Sequence, residues 1–239
     1  MSISSQLSKT AGRFMLLGTL AALFVQSPVQ AKTTFPDVRP DDWASVYIQA
    51  LAERGIIQGF PDGSFRPNDP VTRAQFAVMI GKAFNRGFVR SAIPFKDVPN
   101  NYWAASAIQK AYTAGFLSGY PESVFMADQP MPRVQVFVAL ASGLRLSNRI
   151  VGSYGAYVFT LKDYQSIPDY AASGLLEALS YRFCINYPDV HVLNPNRAST
   201  RAEVAASIYQ ALVATGQAPA IPSPYIFEDF LYEPGRPKP

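Results

Sequence analysis

Three arginines stand where a helix begins. Arg73, Arg133 and Arg201 follow Thr72, Pro132 and Thr200, and each precedes a helical apolar run. A cation in the first helical turn meets the positive end of the helix dipole, so the position is poor unless negative charge offsets it. The free N–H groups of the same turn form an anion site in their own right. Two readings follow, and they are compatible. Either a carboxylate such as Asp37, Asp97 or Asp163 neutralises each arginine within the fold, or each arginine faces an anionic ligand.

Other chemistry has less support. His191 is the single histidine, in Val190-His191-Val192, with no Ser, Cys or carboxylate around it in a nucleophile pattern. One His and one Cys cannot build a zinc site. Cys184 lies between Phe183 and Ile185, which reads as a buried inert thiol. Asp41-Asp42 read as capping residues, not as acids facing across a cleft. Asp62, Asn68 and Asp69 share a loop but lack the alternation of oxygen ligands that calcium requires, so turn chemistry is the reading there. The sequence predicts no enzyme, no cofactor and no metal.

The elements that carry the arginines recur. Residues 55–75 read GIIQGFPDGSFRPNDPVTRAQ. Gly55 and Gly59 suit a helix stop and a tight loop, because glycine takes positive φ freely. Pro61-Asp62-Gly63 is a turn, and Thr72 with Gln75 is a capping box. Shifting by 60 aligns 35–80 with 95–140 at 15 identities over 46 ungapped positions. A third, looser copy follows. Asn186-Tyr187-Pro188-Asp189 answers Gly59-Phe60-Pro61-Asp62, and Thr200-Arg201-Ala202-Glu203 answers the capping box. Repetition at this period fixes the architecture.

Each copy predicts two helices joined by a long ordered loop. In the first copy Asp42 is placed to cap a helix carrying Trp43, Val46, Tyr47, Ala50 and Leu51, which Gly55 stops. The second helix starts at Thr72 and presents Phe76, Val78, Met79, Ile80 and Ala83. The loop 56–71 is longer than most connections, as binding loops are. In the second copy Asn101 is the expected cap, and Pro132 replaces Thr72, removing the side-chain cap. The third copy puts Tyr170 in place of Trp43, Arg182 in place of Gly55 and Asn186 in place of Gly59. It is expected to close the structure with the weaker groove.

The pattern FPDV…W…GIIQGFPDGSFRPNDPVTRAQF resembles the S-layer homology (SLH) repeat, and the third copy is similar to the last repeat of the cyanobacterial form. The expected fold is all-α: three helix–loop–helix repeats, pseudo-threefold, over 32–90, 91–150 and 151–215. The resemblance implies first helices packed centrally, with Arg73, Arg133 and Arg201 lining grooves between repeats. It also implies binding of peptidoglycan or a wall-associated polysaccharide, often with acidic substituents. The resemblance further implies that Trp43, Trp103 and Tyr170 fall in or near the grooves, as core anchors or as a stacking platform for sugars. Asp37 and Asp97 complete the candidate glycan-binding set. The competing class is a protein–protein scaffold of the envelope without glycan affinity.

The ends of the chain set its destination. Residues 1–31 carry Lys9 and Arg13, then the 12-residue apolar run 14–25, then Val29-Gln30-Ala31, which reads as a cleaved signal peptide. The run is shorter than the roughly 20 residues that span a bilayer. Export to the periplasm or cell wall follows, with mature protein from Lys32 and no transmembrane segment in it. Removing Lys9 and Arg13 takes the net charge from +4 to +2, and a small charge spread along the chain does not suggest nucleic acid. The tail 216–239 contains six Pro and cannot be a continuous helix. Its Tyr225-Ile226-Phe227 and Phe230-Leu231-Tyr232 clusters are expected to pack back on the repeats or to meet an envelope partner.

Overall fold

In the computed structural model residues 34–146 and 158–227 are described. The expected signal peptide and cleavage site, most of the spacer before the third copy and the 230–232 cluster lie outside them. Six α-helices are present among the described residues: α1 (Ser45–Glu53), α2 (Arg73–Ala83), α3 (Ala105–Thr113), α4 (Arg133–Leu144), α5 (Ala172–Ser180) and α6 (Arg201–Ala214). There is no strand among them, only isolated bridges. The fold is all-α, as expected, with a helix pair in each copy.

Local chemistry explains most boundaries. Thr72 accepts from the N–H of Gln75, whose side chain accepts from Thr72 N–H, and Thr200 with Glu203 does the same. Pro132 starts α4 with no side-chain cap. Gly55 and Gly115 end the first helices at φ +67° and +86°. Two expected caps are absent. Asp42 Oδ2 accepts from Arg39 N–H, a local turn that competes with capping, so α1 starts later, after Ala44. In the second copy α3 starts after Ala104, beyond Asn101, again without a side-chain cap.

Gly59 corrects another expectation. It does not adopt positive φ; a Cβ there would lie 2.7 Å from Ser64 O and 2.8 Å from the Phe35 ring. Gly119 is pressed against Phe95 in the same way. In the third copy Leu161 stands two residues before Asp163, where Phe35 and Phe95 precede Asp37 and Asp97, and Asn186 replaces the glycine. Arg182 does take the left-handed turn of Gly55, at φ +61°.

Packing follows one rule around the molecule. The second helix of each copy packs on the first helix of the next: α2 on α3, α4 on α5, α6 on α1. The second helices also meet one another, α6 touching both α2 and α4. They form the centre, contrary to the expectation that the first helices would. The cause is sequence: α6 is buried all round from Arg201 to Leu212, whereas α1 buries only Tyr47, Ile48 and Leu51. Where the central helices begin, backbone hydrogen bonds run in a closed ring. Val71 donates to Ser199 O, Ser199 to Met131 O and Met131 to Val71 O, at 3.0, 2.7 and 2.8 Å.

Candidate functional site between the repeats

Each helix-opening arginine reaches into the loop of the following copy. Arg73 donates from Nε to Phe125 O (2.8 Å) and from Nη2 to Ser118 O (2.6 Å). Arg133 donates to Leu193 O (2.7 Å), Ile185 O (3.0 Å) and Asn186 Oδ1 (2.7 Å). Arg201 closes the cycle, donating to Phe65 O (2.7 Å) and Gln58 O (2.9 Å) of the first copy. All three guanidinium side chains are buried. Carbonyl dipoles and ring faces supply the negative potential that the helix start lacks: Arg73 lies over Phe125 and Tyr120, Arg201 over Phe65 and Phe60. Burial pushes Arg73 and Arg201 below the usual arginine value. Asp97 opposes this at Arg73; Asp69 and Asp37 oppose it at Arg201.

The aspartates hold the other side of the same loops. Asp37 accepts from Phe65 N–H (2.8 Å) and Arg66 N–H (2.6 Å). Asp97 accepts from Phe125 and Met126 at 2.7 and 2.6 Å. Asp163 accepts from Leu193 and Asn194 at 3.0 and 2.6 Å. In every copy the residue so gripped is fully buried (Phe65, Phe125 or Leu193), its N–H held by an aspartate and its carbonyl by the preceding copy's arginine. The next residue, Arg66, Met126 or Asn194, is left-handed at φ +58°, +59° and +51°. Sequence reasoning did not find these three, since none is glycine.

The boundaries differ in charge. At Arg133, Nη1 pairs with Glu203 at 2.8 Å, and Arg197 reaches the same oxygen at 2.5 Å. Burial raises the Glu203 carboxyl, but Arg133 and Arg197 with Thr200 N–H hold it below the usual range. Gln75 and Gln135 occupy the corresponding positions in α2 and α4. No ion pair to Arg73 or Arg201 occurs among the described residues, so both keep a charge without a contacting carboxylate. The Glu-for-Gln change was visible in the sequence, but not the arginine it would meet.

The aromatic residues are placed unequally. Trp43 is half-buried, stacked on Tyr187 (5.1 Å, 6°) with Tyr225 edge-on at 6.2 Å. Trp103 is 63% exposed and Tyr170 60% exposed. Tail residues 225–227 thus pack on the repeats: Asn186 N–H donates to Tyr225 O, Phe227 N–H donates to Cys184 O, and Phe227 is buried. Cys184 is buried too, its thiol pushed up to about 12 by desolvation. His191 N–H donates to Asp189, and its ring meets Phe227 edge-on. Asp62 is occupied by Ser64 and Arg66, whose hydrogen bonds hold its carboxyl well below the usual range. No group of three metal-ligating side chains occurs among the described residues.

The family profile of the S-layer homology domain matches residues 34–77 and 94–133. The chain carries S-layer homology domains. Its third copy lies beyond the matched residues. Among similar proteins, an amylopullulanase of Thermoanaerobacterium thermosulfurigenes is 33% identical over 183 residues, 77% of this chain but 10% of that protein. The S-layer protein EA1 of Bacillus anthracis is 32% identical over 143 residues, 58% of this chain and 16% of its own. A cellulosome-anchoring protein of Acetivibrio thermocellus is 30% identical over 123 residues, covering 48% and 25%. The chain thus spans a quarter or less of these relatives. Among the described residues no helix is long and apolar enough to cross a membrane.

Proposed function

We propose that this SLH chain anchors non-covalently to peptidoglycan or a wall-associated polysaccharide, through the boundaries between three repeats in a pseudo-threefold arrangement. It is a binding module of the envelope, exported and processed before Lys32, not an enzyme. The observation that carries the reading is the charge at Arg73 and Arg201, which no carboxylate contacts among the described residues and which loop carbonyls hold in place. With Nε and Nη2 of each guanidinium engaged by carbonyls, Nη1 is the group left to meet a carboxylate substituent on a glycan at the boundary. Exposed Trp103 and Tyr170 offer ring faces for sugars, and Asp37 and Asp97 position the loops. Arg133, Trp43 and the third-copy boundary contribute less, because Glu203 and the tail already occupy them. Relatives named as S-layer and cellulosome-anchoring proteins support the wall-binding class.

Retention on protein-stripped sacculi tests this. Trp103→Ala removes an exposed ring, so the variant melts as wild type while binding falls about three- to tenfold. Arg73→Lys loses the planar fork and is expected to weaken binding further. A folded wild-type protein that passes through sacculi overturns the glycan reading. Variants that melt normally and bind unchanged overturn the groove assignment.

A further inference from the structure

The charge is not spread along the chain. Residues 70–162 contain ten Lys or Arg and three Asp or Glu, so this stretch carries +7 while the whole chain carries +4. Part of the excess gathers around the segment that joins the first two copies. Arg86 donates to Leu144 O, and Arg90 donates to Tyr112 O (2.7 Å) and Leu117 O (2.5 Å). These bonds run to neutral carbonyls and hold the cations in place without a carboxylate partner. Arg86, Phe88 and Lys110 line one cleft of about 460 Å³; Phe88, Arg90 and Lys110 line the adjoining one. Arg145 comes to the same place, since a Cβ on Gly115 would meet Val89 at 3.1 Å and Arg145 at 3.9 Å. None of these four cations forms an ion pair among the described residues.

Between them stand two apolar side chains in water. Phe88 is 76% exposed and Val89 53% exposed. Their backbone is not loose: Val89 N–H donates to Thr113 O at 2.8 Å. Behind Phe88 the cleft reaches the stacked rings of Phe84 and Phe116. We propose that this face docks on an anionic lipid bilayer, with Phe88 and Val89 entering the interface and Arg86, Arg90, Lys110 and Arg145 meeting the headgroups. Charge complementarity selects an anionic partner. The exposed phenylalanine selects a lipid interface over a hydrated polyanion, which would leave the ring wet. The chain would then bind wall by its repeat boundaries and membrane by this face.

Flotation of the full chain with phosphatidylcholine vesicles, with and without about one third phosphatidylglycerol, tests the proposal. Wild type is expected to float only with the anionic vesicles, and less so as salt rises. Lys110→Ala with Arg145→Ala replaces two exposed cations, each worth roughly fivefold in partitioning. Phe88→Ser with Val89→Ser is expected to cost at least tenfold. Both pairs should melt as wild type and bind sacculi unchanged, which separates this site from the wall-binding reading. Wild type that fails to float with anionic vesicles overturns the proposal. So does a Phe88/Val89 variant that floats equally well, or one that loses dextran sulfate binding in parallel, since neither outcome requires lipid.

Discussion

Asp37→Asn probes the joint on which ring closure depends. Asp37 holds the N–H groups of Phe65 and Arg66, and the carbonyl of that same Phe65 accepts from Arg201, 136 residues away. An amide has one acceptor oxygen, so one N–H loses its partner and meets an NH2 group instead. A hydrogen bond to a charged group contributes about 1.5–3 kcal/mol. Asp37 is exposed and water softens the loss, so about 1–2 kcal/mol is expected. For a domain of this size that lowers Tm by about 3–6 °C. The carboxyl sits below its usual range: burial raises it, but the N–H groups of Phe65 and Arg66 pull it further down. A depressed folded pKa gives stability that is present above the unfolded value near 4 and vanishes as pH falls through the folded one. The Tm gap between wild type and variant should therefore close below about pH 4. Combined with Arg201→Lys, the variant should show a coupling of at least about 0.5 kcal/mol, because both act through Phe65. Thermal melts across pH on the four proteins decide it. A variant melting within a degree of wild type at neutral pH, or strict additivity with Arg201→Lys, refutes the idea that aspartate and arginine grip one joint.

Glu203→Gln leaves Arg133 buried without its carboxylate and is expected to cost about 3–5 kcal/mol in denaturant unfolding. Glu203 is also depressed when folded, so its contribution is present above the unfolded value near 4.3 and disappears as acid protonates it; unfolding that is insensitive to the substitution would contradict the pairing. Cys184, with its pKa raised to about 12 by burial, should resist maleimide at pH 8 in the native protein and label fully in denaturant, as mass spectrometry would show.

How far the sequence discloses this arrangement depends on the range of each interaction. Thr72, Gln75, Gly55 and Gly115 announce themselves because their effects act within four residues, and the structure agrees. Asp42 misleads for the same reason: the N–H of Arg39, on its other side and just as local, takes the carboxylate first. Gly59 was legible as glycine but not for its cause, which is the Phe35 ring brought from 24 residues earlier. The arginines were legible as a repeated type at a repeated position. Their acceptors were not, because a backbone carbonyl belongs to every residue and leaves no mark in composition. Charge misled through averaging: a small net value concealed a basic stretch balanced by acids elsewhere.

The cycle of arginine bonds has a consequence for how such a chain can change over time. An open solenoid gains or loses a unit at its end with little disturbance elsewhere, since each repeat touches only its neighbours. Here Arg201 at the last helix is spent on the loop of the first copy. A fourth copy has no unfilled joint to enter, and loss of one opens two. Unit number is therefore held by closure, and variation is channelled into the contents of each boundary, as with Glu203 for glutamine and Asn186 for glycine.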